Sequence, residues 1–260
     1  MEENNSMMDP NFVPKEFATP YDIVELPSQG LLYKNKKSKV RVEYLTAMDE
    51  SILTSPNLSN NPTLMVNTLL RRKVKDLDFD PEDLLEGDRT ALLIFLRVTG
   101  LGEKYVQYVF SDKVDDVVEA EIDLTTLKQK KLTIKPDENG EFDYELPQSK
   151  IKIKFRFLNG KDEKDIDLLD KEQMKRSEEK VSNKVMLRLE RAVTEFNGNR
   201  EKIYISNALK KITIKDSRSL RKYITDNEPG LDFNTMATTQ GGESIPTFFR
   251  FNASFLWPEL

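Results

Sequence analysis

Gly87-Asp88-Arg89 stands directly before a long apolar run. The free backbone amides at the start of a helix there could hold a phosphate or carboxylate. Asp88 is itself a side chain that fills such a position, so the triplet reads more simply as a helix cap with an ion pair. Residues 160–167, GKDEKDID, contain a glycine and a lysine but lack the Gly-x4-Gly-Lys-Ser/Thr order of a phosphate loop. Asp162, Glu163, Asp165 and Asp167 are not spaced as calcium ligands either, and read as first-turn acids that complement a helix dipole. RRKVK at 71–75 could meet nucleic acid, but Asp76, Asp78 and Asp80 follow at once, which makes it a solvated helix end. The cations Lys150, Lys152, Lys154 and Arg156 alternate along one face without aromatic residues for base stacking, so that face suits solvent or a protein.

The absences narrow the chemistry further. The 260 residues include no His and no Cys, which excludes thiolate nucleophiles, Cys/His zinc sites and every triad that needs an imidazole. Carboxylate chemistry requires acids that converge in space, and the linear order shows no such pair. No enzyme, cofactor or metal site is therefore expected. The net charge of −5 argues against a dedicated nucleic-acid binder. No run reaches the about 20 apolar residues of a membrane-spanning helix, and residues 1–8 are not a signal peptide.

Elements follow from periodicity. Residues 1–33 read as an extended arm and turn, with Pro10, Pro14, Pro20 and Pro27 ahead of the turn signal Ser28 to Gly30. Residues 34–103 are mainly helical: a strand with Val40 and Val42, then a helix capped by Thr46 with Asp49 three residues on, then 63–73, then 89–99 capped by Asp88. Residues 104–158 change to a period of two and predict one small antiparallel β module. Its strands are 105–110, 117–124 and 150–157, and Asn139-Gly140 turns a hairpin that pairs 132–134 with 142–146. Residues 159–230 are helical again, with Ser182 capping a helix that runs through Val193 and Phe196, and a turn at Pro229-Gly230. Residues 231–260 form an aromatic β-type ending that contains Phe255 and Trp257. The fold class is α+β, with helical parts flanking a small antiparallel module and a second β-type C-terminal ending.

Four segments in order resemble a known family: ELPSQGLLY at 25–33, LTAMDESILTSPNL at 45–58, LLEGDRTALLIFLRVTGLGEKY at 84–105 and ELPQSKIKIKFRFLNGKDEKDI at 145–166. The chain resembles the baseplate hub subunits, or tail assembly chaperones, of T-even-type contractile-tail bacteriophages over about residues 21–200, and again at 251–258. Relatives often carry Cys-x-x-Cys pairs. The corresponding stretches here, 110–118 and 238–245, have none, so a metal is not expected whatever its relatives hold.

The resemblance implies a viral structural or assembly protein that acts by protein–protein binding within a hetero-oligomeric tail assembly. It implies a place in the virion baseplate after assembly in the host cytoplasm, or a transient chaperone role absent from the mature particle. Other phage baseplate, hub or tail proteins are the expected partners; nucleic acid and membrane are not. The candidate partner-binding residues are Pro27, Leu31, Leu32 and Tyr33 in the turn, and Trp257 as an aromatic anchor. Removal of residues 1–33 is expected to leave a folded protein.

Overall fold

The computed structural model describes residues 18–55, 61–176, 181–250 and 253–256. The arm through residue 17, the loop 56–60 and Trp257 lie outside the described residues. Within them the protein is α+β, with seven helices and four small antiparallel sheets.

β1 (Tyr21–Glu25), β2 (Lys39–Glu43) and β3 (Val74–Lys75) form a three-stranded sheet in that order. β2 alternates as the sequence predicts: Val40 and Val42 are buried, while Arg41 and Glu43 lie outward. α1 (Ala47–Leu53) and α2 (Pro62–Lys73) follow, then α3 (Glu86–Leu101), whose Leu92, Leu93, Ile94 and Leu96 are all buried. An apolar surface this wide makes α3 the central helix of the main core. Gly102, at φ +98°, ends it.

α3 begins three residues earlier than the sequence predicts. Its N-cap is Leu85, and Asp88 lies within the first turn, where it bonds a distant loop instead of capping. Gly87 is needed here, because a Cβ at this position would run into the Pro229 carbonyl. Residues 229–230 are therefore not only a turn. Gly230 opens β10 (Gly230–Asp232), which pairs with β6 (Lys128–Lys130).

The strands of 104–158 do not close on one another as one module. β4 (Lys104–Ser111) and β5 (Asp116–Asp123) form a hairpin, and β5 then pairs with β11 (Asn234–Thr239), which pairs with β12 (Ser244–Phe248). The C-terminal ending thus completes this sheet, in the order β12-β11-β5-β4. The Asn139-Gly140 turn forms, with the Asp137 carboxylate accepting from the Asn139 and Glu141 amides. The segment 132–134, however, does not become its strand. β7 (Phe142–Glu145) pairs with β8 (Lys152–Phe155), around a turn in which Lys150 has φ +59°. β8 buries Ile153 and Phe155, and Phe157 beyond it is buried on the same side.

α4 (Gly160–Arg176) and α5 (Lys184–Ala192) follow. Ser182 does not cap α5. Its hydroxyl bonds both oxygens of buried Asp170, and Asn183 takes the N-cap position. Nor does the helix run through Phe196. It stops at Ala192, and β9 (Val193–Phe196) adds to the open edge of β8. β-branched Val193 and Thr194 favour the extended state there, and the vacant ladder decides it. α6 (Lys202–Leu209) and α7 (Ile214–Asn227) cover this sheet through a second core of Leu146, Ile153, Leu189, Phe196, Ile205 and Leu220.

Candidate functional site

The turn at 26–33 is folded against α3. Asp88 is fully buried and accepts three hydrogen bonds. The Ser28 amide donates to Oδ1 at 2.8 Å, and the Ser28 hydroxyl and the Tyr33 hydroxyl both donate to Oδ2 at 2.5 Å. Tyr33 Oη in turn accepts from the Leu85 amide at 2.9 Å. Burial pushes the Asp88 carboxyl above its usual range, opposed by the bonds from Ser28 and Tyr33. Burial, followed by the Asp88 charge, pushes the Tyr33 phenol up as well. Gly30, at φ +71°, lets the turn reverse where a Cβ would lie 2.6 Å from the Lys36 carbonyl. Ser, Tyr and Asp in mutual contact invite a nucleophile reading. Here each member is a donor to, or the acceptor at, one buried carboxylate, which makes the group a clamp.

The clamp decides where the candidate binding residues point. Pro27 and Tyr33 are turned inward and buried, and Leu32 is half-buried. Leu31 is 45% exposed and is the residue of this set that the turn presents to solvent. Trp257 lies outside the described residues. Its aromatic neighbours Phe249 and Phe255 are buried, with Tyr105 5.6 Å and 5.3 Å from them. Phe249 and Phe255 are thus core, whereas Phe248 is 54% exposed.

The charged motifs are absorbed by the fold. Lys73 of RRKVK is not a solvated helix end: it is 4% exposed and paired with Asp49. Asp49 also accepts from Arg72 Nε at 3.0 Å and from the amide and hydroxyl of Thr46, so the cap of α1 doubles as an anchor for α2. These hydrogen bonds outweigh burial and hold the Asp49 carboxyl at about 2. Arg156 forks onto Asp162 at 2.7 and 2.8 Å, and Lys154 reaches Asp137 and Asp143. Asp162 also exchanges bonds with Asn159 at the start of α4, in keeping with its first-turn position.

Three glutamates converge where the linear sequence shows no acid pair. The first turns of α3 and α4 are held together by the Glu86 amide on the Leu158 carbonyl and the Gly160 amide on the Leu84 carbonyl, at 3.1 and 3.2 Å. The chain after α7 crosses the same point at Pro229. Glu86, Glu163 and Glu228 therefore share one field, with Arg188 of α5 paired to Glu163. Burial, reinforced by Glu86, raises both Glu163 and Glu228 to about 7. The residues come from three distant segments, so no local spacing could have revealed them. The clefts around Asp123 and Asp232, around Val118 and Gln240, and between α5, β9 and α6 are lined by other side chains. Among the described residues no group of acids is arranged to hold a metal ion, and no helix is long and apolar enough to cross a membrane. No family model, curated protein or solved structure matches this chain.

Proposed function

We propose that the chain is a non-enzymatic structural or assembly protein of a contractile phage tail baseplate, of the hub type, which acts by binding other baseplate or tail proteins. The observation that carries this reading is the Asp88 clamp. It ties together two of the segments on which the family resemblance rests, ELPSQGLLY and LLEGDRTALLIFL, and holds Leu31 outward on a turn that is fixed before any partner arrives. A loop ordered in advance loses less entropy on binding than a free one. The lack of His and Cys, and the interleaving of the convergent glutamates with Arg89 and Arg188, favour binding over turnover.

Mass spectrometry of purified particles beside infected-cell lysate tests the reading. A hub component is found in the particles with the other baseplate proteins. Presence only in the lysate, bound to free baseplate proteins, would make the chain a transient assembly chaperone. Absence from both particles and tail-assembly intermediates would refute the proposal.

A further inference from the structure

The chain carries −5 overall, yet its charge is sharply divided. Residues 200–222 hold eight Lys and Arg against Glu201 and Asp216, a surplus of six positive charges. Residues 112–123 hold six acids against Lys113, a surplus of five negative charges. Within 200–222, Arg200, Lys210 and Lys222 are paired with carboxylates, so the cations of that segment without an ion-pair partner among the described residues are Lys202, Lys211, Lys215, Arg218 and Arg221.

The positive face belongs to α7. Leu220 is fully buried, and Tyr223 and Ile224 pack beneath the helix, which fixes its inner side. Lys215, Arg218 and Lys222, spaced by three and four, stand exposed on the outer side with Arg221 beside them. Lys215, Arg218 and Arg221 have no ion-pair partner among the described residues, whereas Lys222 pairs with Asp226. Asp216 is unavailable to neutralise them, because it is buried and accepts from the Gln148 and Ser149 amides. Ile214, 79% exposed, opens the helix on this side.

The negative face is the outer surface of the β4–β5 hairpin. β5 turns Ala120 and Ile122 inward, which leaves Val117, Glu119 and Glu121 outward. There Glu119 accepts from the Tyr108 hydroxyl and keeps its charge unneutralised, while Glu121 is paired with Lys104 at 2.7 Å. β4 sets Phe110 directly opposite Val117, and Val106 opposite Glu121. Val106, Phe110 and Val117 are each more than half exposed. Acidic side chains are thus interleaved with uncovered apolar ones on a flat sheet face, a combination that soluble surfaces seldom leave unpartnered.

Each face has the chemistry that the other requires: cations beside an exposed isoleucine, and carboxylates beside exposed valine and phenylalanine. We propose that two copies of this chain associate heterologously, with the basic face of α7 in one copy seated on the acidic, apolar face of β4–β5 in the next. The two patches are different, so the contact is head-to-tail and propagates into a ring or an open chain. A nucleic acid suits the helix less well. Its backbone would leave Ile214 uncovered, and the chain's overall negative charge would repel a long polyanion beyond the patch. The inference does not rest on the baseplate reading.

Sedimentation velocity of the full chain at micromolar to 100 micromolar concentration, in low and in high salt, is the test. Association is expected in low salt, weakened about tenfold or more in high salt because the paired groups are exposed and screened. Two variants reverse the faces: Lys215→Glu with Arg218→Glu, and Glu119→Lys with Glu121→Lys. Each alone should be monomeric, and a mixture of the two should associate, because unaltered helix meets unaltered sheet across the mixture. If either double variant fails to fold by circular dichroism, Arg218→Glu and Glu121→Lys carry the same comparison singly. A wild-type chain that stays monomeric in low salt overturns the proposal. So does association that survives both reversals, or a helix reversal that abolishes binding of a 20-base-pair DNA duplex while self-association is unchanged.

Discussion

Asp88 shows how far a residue's role depends on what reaches it from elsewhere in the chain. As a cap, its loss would cost about 1 kcal/mol. As found, Asp88→Ala leaves the Ser28 amide, the Ser28 hydroxyl and the Tyr33 hydroxyl buried with their acceptor gone. At about 1–3 kcal/mol for each buried donor left unsatisfied, that places the cost at about 3 kcal/mol or more. Thermal or urea unfolding of the variant checks the figure. Ser28→Ala and Tyr33→Phe should each cost less. In the Asp88→Ala background Ser28→Ala should add almost nothing, since its bond to the carboxylate is already broken, whereas Tyr33→Phe should keep a residual cost because its hydroxyl also accepts from the Leu85 amide. A loss near 1 kcal/mol, additive with the others, would mean that the clamp contributes little.

At the scale of elements, what was legible in the sequence is what local periodicity controls. The alternation of β8, the apolar run of α3, the Thr46 and Asp49 start of α1 and the hairpin β4–β5 are all readable from neighbouring residues. Pairing partners were not. The Asn139-Gly140 turn forms, yet the strand expected before it fails, because β7 takes β8 instead. Val193–Phe196 has helical neighbours on both sides and becomes a strand, because β8 has a free edge. The acid cluster and the Asp88 clamp were hidden for the same reason, since their members lie up to 142 positions apart. The arm boundary shifts too. β1 pairs along its length with β2, and Leu26 is 1% exposed, so residues 18–33 belong to the folded body. Deleting residues 1–33 should therefore unfold or aggregate the protein, contrary to what the sequence suggests. Deleting residues 1–17 should leave the melting temperature within about 2–4 °C of the full chain, a change of at most about 1 kcal/mol. A stable, monodisperse protein lacking residues 1–33 would count against this assignment of the core.

The whole molecule integrates titrations of opposite sign. Glu163 and Glu228 sit at about 7 in the folded protein against an ordinary 4.5. The folded state therefore holds protons that the unfolded chain has released, and stability falls as pH rises from about 4.5 to 7. Asp49 is the reverse case. Held at about 2 against an ordinary 3.8, it supports the fold above about pH 4 and loses that contribution as pH falls through 2. The two trends cross between about pH 4 and 5, so the protein should melt at a higher temperature at pH 5 than at pH 8. Glu163 lies beside Arg188 and is about one-fifth exposed, which screens the effect. For the pair of glutamates together, about 2 kcal/mol across this range is the expected scale. Glu163→Gln keeps the shape while removing the charge. It should raise stability at pH 8, change little at pH 5, and flatten the slope between them. A melting temperature that climbs from pH 5 to pH 8, or a Glu163→Gln protein with the wild-type slope, would mean that the junction of α3, α4 and the chain after α7 is open enough to water for these carboxylates to titrate normally.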